Sequence, residues 1–131
     1  CRNIGHETFS HDVPAHPFYG EMVKLLGVTR MEYRIEKRQP LPLFQRRFDL
    51  VTAFAICFNG HDNDGLWGTE EWDYFISDLR ENVLQEQGRI CLVLNREKSG
   101  ETISPSLRDL FESMGASVHD LLVKIPARKA S

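Results

Sequence analysis

The sequence lacks the features of membrane-spanning, secreted and disulfide-linked proteins. No apolar run approaches the roughly 18 residues that indicate a membrane-spanning helix, and no signal-peptide pattern opens the chain. The three cysteines, Cys1, Cys57 and Cys91, are an odd number without C-x-x-C spacing. Two of them stand in apolar, strand-like runs, where a thiol behaves as a small hydrophobic side chain. The sequence therefore predicts a cytoplasmic protein without membrane contact.

An excess of positive charge is also missing. The formal net charge is −3, whereas proteins that bind polyanions present a clustered basic surface. Basic residues concentrate between residues 34 and 47, but Pro40 and Pro42 punctuate this stretch and indicate a solvated loop between strands. No nucleic-acid partner is expected. The length of 131 residues, 41% of them hydrophobic and 27% charged, predicts one globular domain over residues 1–131.

The third absence is a glycine-rich turn. From Glu7 onward, short β-branched apolar runs alternate with longer helical patterns, which is typical of strand-helix-strand units in a parallel sheet. No G-x-G-x-x-G precedes the first of these strands, and Cys1 is not an initiator residue. The sequence predicts an α/β fold with a Rossmann-like, doubly wound, mostly parallel sheet and helices on both faces. Its first strand is expected to be missing, which makes the domain N-terminally incomplete.

Hydrophobic periodicity and turn residues place the elements along the chain. The predicted order is a strand at residues 7–12, a helix over FYGEMVKLLGV, the strands EYRIEK and FDLVTAFAICF, a helix over residues 70–84, the strand RICLVLN, the helix in SPSLRDLFESMGA, and two short strands within SVHDLLVKI. FDLVTAFAICF is nearly continuously apolar, which is typical of a strand buried on both faces of a parallel sheet.

Caps and apolar stripes define the predicted helices more closely. Thr69 and Ser104 are the expected N-caps, and Gly27 and Gly115 the expected C-terminal stops. Gly88 is the expected turn before RICLVLN. The first helix is predicted to bury the stripe Phe18, Met22, Leu25 and Leu26, and the second to bury Trp72, Phe75, Ile76 and Leu79.

Four segments, taken together in their order and spacing, resemble the class I S-adenosylmethionine-dependent methyltransferases. They are FDLVTAFAICFN, LWGTEEWDYFISDLRENVL, GRICLVLN and SPSLRDLFESMGASV. The family has an FDLV strand, a leucine-rich helix, a glycine turn, an apolar strand, and a last helix ending in G-A before an antiparallel terminal strand pair. The resemblance covers nearly the whole chain. It implies methyl transfer from S-adenosyl-L-methionine to a small-molecule acceptor, with residues 7–12 as the second strand and CRNIGH as the tail of the first helix.

Asp12 is the candidate for holding the ribose of the cofactor. Folds of this class bind ligands at the carboxyl ends of their strands, which directs attention to Asp12, residues 36–38, residues 53–59 and Asn95. A carboxylate at the end of the second strand can accept hydrogen bonds from the vicinal hydroxyls of a ribose. The alternative is a turn aspartate before a proline loop. By resemblance, Val13 would lie against the adenine.

The remaining site residues follow from the same resemblance. Many members carry an acid after the third strand that contacts the adenine amine. Here Glu36 stands one place early, and backbone groups or Gln39 are the alternative. Ala53 and Phe54 are the cofactor-binding candidates after the fourth strand. The nearby polar candidates for catalysis are Asn59 and His61, although a lone loop histidine is more often solvated than catalytic. Trp67 and Trp72 would wall the substrate pocket or, alternatively, belong to the core.

Two patterns that suggest metal sites are set aside, so no metal is predicted. One matches the offsets of a calcium loop but begins with glycine and follows a strand rather than a helix. Its residues are Gly60, Asp62, Asp64, Gly65 and Glu71. The other, His11, Asp12 and His16, is interrupted by prolines and has no further ligands.

Two other functions stay open. A Rossmann-type NAD(P) oxidoreductase shares the strand, the crossover and the ribose carboxylate, and a non-catalytic interaction module would keep the fold without its cofactor. The terminal strand pair favours the methyltransferase. Because the missing central strand would leave two buried strands without ladder partners, the chain alone is expected to be inactive, marginally stable and prone to self-association.

Overall fold

The computed structural model describes residues 4–12, 17–56, 58, 65–96, 100 and 102–128. The protein is α/β, with strands and helices alternating through most of the chain. It divides into two compact units, Cys1–Glu36 and Lys37–Ser131, and each is described by itself. The single domain over residues 1–131 stays a prediction. No helix in the described ranges is both long enough and apolar enough to cross a bilayer.

Unit 1 is a strand-helix-strand motif. Its elements are β1 (Phe9–Asp12), α1 (Pro17–Leu25) and β2 (Thr29–Glu32). The two strands are parallel, with Phe9 opposite Thr29 at one end and Asp12 opposite Glu32 at the other. Gly27, with φ of 58°, follows α1 and donates its N–H to the Lys24 carbonyl at 3.0 Å, which confirms the predicted C-terminal stop.

The bounds predicted for the second strand are wrong. EYRIEK was expected to pair, but β2 ends at Glu32, and residues 33–36 lie beyond it without strand geometry. After the turn at Gly27, the chain pairs with β1 from Thr29 onward. The four residues of β1 have all found their partners at Glu32, where β2 ends. The position of Glu36 relative to the strand end changes accordingly.

The predicted burial of the α1 stripe is also wrong. No residue of α1 is buried, and Phe18 and Leu25 are 58% and 87% exposed. The periodicity correctly predicted a helix, but a helix buries an apolar stripe only where a surface covers it. Two strands of four residues each offer little such surface within unit 1.

Unit 2 is a mixed four-stranded sheet with helical connections. Its elements are β3 (Phe48–Ile56), α2 (Thr69–Asp78), a π-helical turn (Leu79–Val83), β4 (Leu84–Leu94), α3 (Pro105–Ser113), β5 (Ser117–His119) and β6 (Leu122–Pro126). The strand order is β3-β4-β6-β5. β3 and β4 are parallel, whereas β6 is antiparallel to both β4 and β5. The predicted terminal strand pair is confirmed, with its turn at Asp120, where φ is 51°.

The core of unit 2 lies on one face of this sheet. Alternate residues of β4 and β6 are at most 1% exposed: Ile90, Leu92, Leu94, Val123 and Ile125. Trp72 and Ile76 of α2 and Phe111 of α3 are fully buried, and the rings of Trp72 and Phe111 meet edge to face with centroids 5.5 Å apart. Each such side chain contributes about 1.5–3 kcal/mol by leaving water. The predicted burial of the α2 stripe is confirmed.

The other face of the sheet is open at β3, so the prediction that this strand is buried on both faces is wrong. Leu50 and Phe54 are 53% and 65% exposed, whereas the intervening Val51 and Ala53 are half-buried. β3 is an edge strand of the unit 2 sheet, with β4 as its neighbour. An apolar run indicates a strand, but it does not show that both of its faces are covered.

The helix caps follow the predictions in part. Ser104 caps α3, its hydroxyl accepting the Leu107 N–H at 3.4 Å, and Pro105 is the first helical residue, as expected. For α2, however, the N-cap is Gly68, and Thr69 is already helical. The Glu71 carboxylate supplies the cap in place of Thr69 by accepting the Gly68 N–H at 2.9 Å.

The prediction of a turn at Gly88 is wrong, because Gly88 lies inside β4. A Cβ at this position would stand 3.0 Å from the Gln85 carbonyl oxygen and 3.1 Å from that of Phe48. The register between β3 and β4 shifts between Phe48 and Leu50. A side chain at this position would therefore force the neighbouring backbone to shift by a few tenths of an ångström, which favours glycine at this irregularity.

Candidate functional site

A bulge at the carboxyl end of β3 is the main irregularity of the expected ligand-binding edge. Phe54 pairs with Val93, and Ile56 pairs with the next residue, Leu94, so that Ala55 is an extra residue in β3. Ala55 has φ of 54°, a left-handed conformation that costs about 1–3 kcal/mol for a residue with a side chain. Backbone strain of this kind is concentrated at binding and catalytic sites.

Asn95 holds the bulge in place. It follows β4, and its Nδ2 donates to the carbonyl oxygens of Ala55 at 3.1 Å and Ile56 at 3.3 Å. On the other side, Leu94 donates its N–H to the Leu121 carbonyl at 3.0 Å. These bonds tie the ends of β3 and β4 and the β5–β6 turn into one edge. Asn95 was among the strand-end positions selected from the sequence, but its role as a clamp was not predicted.

An aromatic cluster stands next to this edge. Phe58 stacks on Trp67 with ring centroids 3.9 Å apart and an angle of 9° between planes. The backbone N–H of Trp67 donates to the Phe58 carbonyl at 2.6 Å. Trp72 and Phe75 meet Trp67 edge to face at 5.6 and 5.5 Å. Trp72 has no exposed surface and Trp67 is 9% exposed. Of the two sequence alternatives, the core is therefore the one that the structure bears out for both tryptophans.

The loop before β3 is anchored to the start of α2. Arg38, whose φ is 54°, pairs with Glu71 at 3.0 Å and also with Glu70. Lys37 donates to the Leu66 carbonyl at 2.8 Å. The hydrogen bond from the Gly68 N–H, assisted by Arg38, holds the pKa of Glu71 below its usual value of 4.5 against the opposing effect of desolvation. Arg38 thus binds the loop to the first turn of α2, and Lys37 binds it to the segment before α2.

The candidate residues of unit 1 lie at or beyond the ends of its strands. Asp12 ends β1, as predicted, and lies opposite Glu32 in the register; the structure describes its backbone but not its side chain. Glu36 is exposed and stands four residues beyond the end of β2. The acid at the carboxyl end of β2 is Glu32, which forms an ion pair with Arg30 at 2.6 Å. Correct strand bounds would have identified it from the sequence.

The candidate residues of unit 2 are partly described. Ala53 and Phe54 immediately precede the bulge, Ala53 half-buried on the helix-covered face and Phe54 exposed on the other. Val13 of unit 1, and Asn59 and His61 of unit 2, lie outside the described residues. The calcium-loop pattern falls largely outside them too. In the described ranges, no three His, Cys, Asp or Glu side chains are grouped as metal ligands.

Comparisons with family models, with curated proteins and with solved structures return no match for this chain. Its function must therefore be inferred from its own residues.

Proposed function

We propose that this chain serves S-adenosylmethionine-dependent methyl transfer to a small-molecule acceptor, in a Rossmann-like, doubly wound fold. The observation that carries the proposal is the antiparallel end of the unit 2 sheet. After the parallel unit β3-α2-β4, the chain forms α3 and returns through β5 and β6, with β6 antiparallel to β4. This is the terminal strand pair that the methyltransferase resemblance implies. Dinucleotide-binding sheets are instead built from repeated parallel strands.

Unit 1 supports the proposal through Asp12. The motif β1-α1-β2 is a parallel strand-helix-strand unit, and Asp12 is the last residue of its first strand. A carboxylate in that place is suited to the two hydroxyls of a ribose. Glu32, its neighbour in the register, adds a second acid at the same edge. The ribose alone does not distinguish S-adenosylmethionine from NAD(P), so the preference for S-adenosylmethionine rests on the terminal strand pair.

The chemistry needs little beyond alignment. A lone pair of the acceptor attacks the methyl carbon, the carbon–sulfur bond breaks with its electrons going to sulfur, and S-adenosylhomocysteine leaves. An acceptor that carries a proton loses it to water or to a nearby base. Because the donor is already a sulfonium cation, catalysis depends chiefly on holding the two reactants in line. The bulge at Ala55, fixed by Asn95, is a rigid element of the kind that such positioning requires. Asn59 and His61 stay candidates for the proton transfer.

Calorimetric titration of the natural protein that contains these residues tests the proposal. We expect saturable binding of S-adenosylmethionine and none of NAD or NADP. Asp12→Ala should weaken the affinity by about 10- to 100-fold, the cost of a charge-assisted hydrogen-bond pair. Asp109→Ala, which removes an exposed carboxylate from α3, is the matched control and should leave it unchanged. Preferential binding of NAD would favour the oxidoreductase, and binding of neither would favour the interaction module.

A further inference from the structure

A second site-like feature lies at the opposite edge of the unit 2 sheet. There the amino ends of β3 and β4 meet the carboxyl end of β6 around an open cavity of 570 Å³. Three arginines line it, Arg47, Arg80 and Arg128, together with Glu81 and Glu86. Small-molecule pockets in proteins commonly measure about 300–1,000 Å³. The cavity has the size of a ligand site and is rich in side chains that bind anions.

Arg80 stands in a π-helical turn, and hydrogen bonds to two backbone carbonyls hold its side chain. It belongs to the π-helical turn Leu79–Val83, which also contributes Glu81 to the lining. Such turns are rare and are frequent at functional sites. The guanidinium of Arg80 donates to the Pro126 carbonyl from Nε at 3.0 Å and from Nη2 at 2.8 Å, and to the Met114 carbonyl at 2.8 Å. Its Nη1 donates to no described residue and stays available to a ligand.

Arg47 is held in a similar way, while Arg128 is already paired. Arg47 directly precedes β3, and its Nη1 donates to the Leu84 carbonyl at 2.9 Å. Its Nε and Nη2 make no hydrogen bond within the described part of the chain. Arg128 forms an ion pair with Glu86 at 2.5 Å. The cavity therefore contains two guanidinium groups that are anchored to backbone carbonyls and keep free N–H donors, and one ion pair whose charges cancel.

The charge balance of the lining favours an anion. Within the lining, Arg128 pairs with Glu86, which leaves Arg47 and Arg80 against the carboxylate of Glu81. Outside the lining, Asp73 also interacts with Arg80. Burial lowers the pKa of Arg80, an effect that Asp73 partly offsets, but an arginine keeps its charge at any physiological pH. A cation that has lost part of its hydration gains more from an anionic partner than an exposed one does. Guanidinium groups also match oxyanions geometrically, through paired N–H donors.

We propose that this cavity binds a small anionic molecule through an oxyanion group, such as a phosphate, held between Arg47 and Arg80. The site lies at the edge opposite the carboxyl ends of β3 and β4, so it is independent of the proposed methyl transfer.

Titration of the full chain with inorganic phosphate and with AMP, at constant ionic strength, tests this site. Calorimetry gives the affinity, and amide chemical shifts of Leu84 and Ala127, which line the cavity, report its location. Arg47→Gln should weaken binding by about 10- to 100-fold. Glu81→Gln, which removes the opposing carboxylate, should tighten it by about threefold. Arg108→Gln, a surface arginine on α3 that pairs with Glu112, is the control and should not change it.

Glu81→Gln keeps the proposal testable even if Arg47→Gln fails to fold. This variant should still bind phosphate more tightly than the parent, and a structural defect would not improve the affinity. Tighter binding of AMP than of phosphate supports a site for a whole phosphorylated molecule, and equal binding supports a site for the oxyanion alone. The absence of saturable binding for both probes, or the same affinity in all variants, overturns the proposal.

Discussion

Ala55 marks one of the two irregularities in the pairing of β3 with β4. Its φ of 54° places a side chain in a conformation that glycine adopts freely. Asn95 holds the backbone there by donating to the carbonyl oxygens of Ala55 and Ile56. A bulge that is both strained and clamped is retained at a cost in stability, which is expected where backbone position serves binding.

Glycine substitutions distinguish this strained position from its neighbour. Ala55→Gly should leave the free energy of unfolding unchanged or raise it by up to about 1 kcal/mol, because it relieves the left-handed strain. Ala53→Gly, two residues earlier in regular strand geometry, should lower it by about 0.5–1 kcal/mol through lost conformational restriction. Urea denaturation of both variants measures the difference. Equal destabilisation by the two would mean that Ala55 carries no strain.

At the scale of the elements, the start of α2 is stabilised by one carboxylate. Glu71 accepts the Gly68 N–H and pairs with Arg38, so its pKa in the folded protein lies below 4.5. A depressed pKa means that the stabilisation is fully present above the unfolded value and is lost as the pH falls through the folded one. Glu71→Gln should therefore lower stability at pH 7, and the difference from the parent should shrink below pH 4.5.

Denaturation curves recorded between pH 3 and pH 7 measure this dependence. Glu70→Gln is the matched control, because Glu70 also pairs with Arg38 but accepts no N–H from Gly68. We expect a smaller effect of Glu70→Gln at pH 7. A difference between Glu71→Gln and the parent that stays constant down to pH 3 would contradict the proposed role of the ionised carboxylate.

The sequence was sufficient to predict the features that depend only on neighbouring residues. The cap at Ser104 and the stop at Gly27 each depend on a few neighbouring residues, and the structure contains both. Burial depends on what covers an element, so the exposure of Leu50 and Leu25 could not be read from periodicity. In the candidate site, the strand-end position of Asn95 was predictable from strand order. The bulge at Ala55 was not, because it arises from register between distant strands.

The edge strand β3 exposes both backbone groups and apolar side chains. It is nine residues long, contains a single charged residue, Asp49, and has no proline, so it lacks the usual protections against edge pairing. We expect the 131-residue chain to self-associate through this edge. Thr52→Lys, on the exposed face, should lower the association detected by sedimentation velocity. Ser117→Lys adds the same charge to the three-residue strand β5 and should not. Equal effects of the two would assign the change to net charge.

At the scale of the whole molecule, the buried apolar residues are distributed unevenly. Every hydrophobic residue that the structure describes as buried lies in unit 2, from Leu41 to Ala127. Unit 1 has parallel strand pairing and a capped helix, but no described residue in it is buried. Since burial of apolar surface is the main source of folding free energy, unit 2 holds most of the stability of the chain.

Native-state hydrogen exchange of the chain should reveal this imbalance as two levels of protection. β4 is hydrogen-bonded to β3 on one side and to β6 on the other. Its amides should therefore exchange only by global unfolding, which costs about 5–15 kcal/mol in natural domains. Amides of β1 and β2 should exchange by local opening, several kcal/mol below that level. A ligand that binds unit 1 should reduce the difference in exchange free energy between the two units, and S-adenosylmethionine is the ligand that the proposed function names. Equal protection of both units without ligand would show that they unfold together and that apolar burial within each unit does not set its stability.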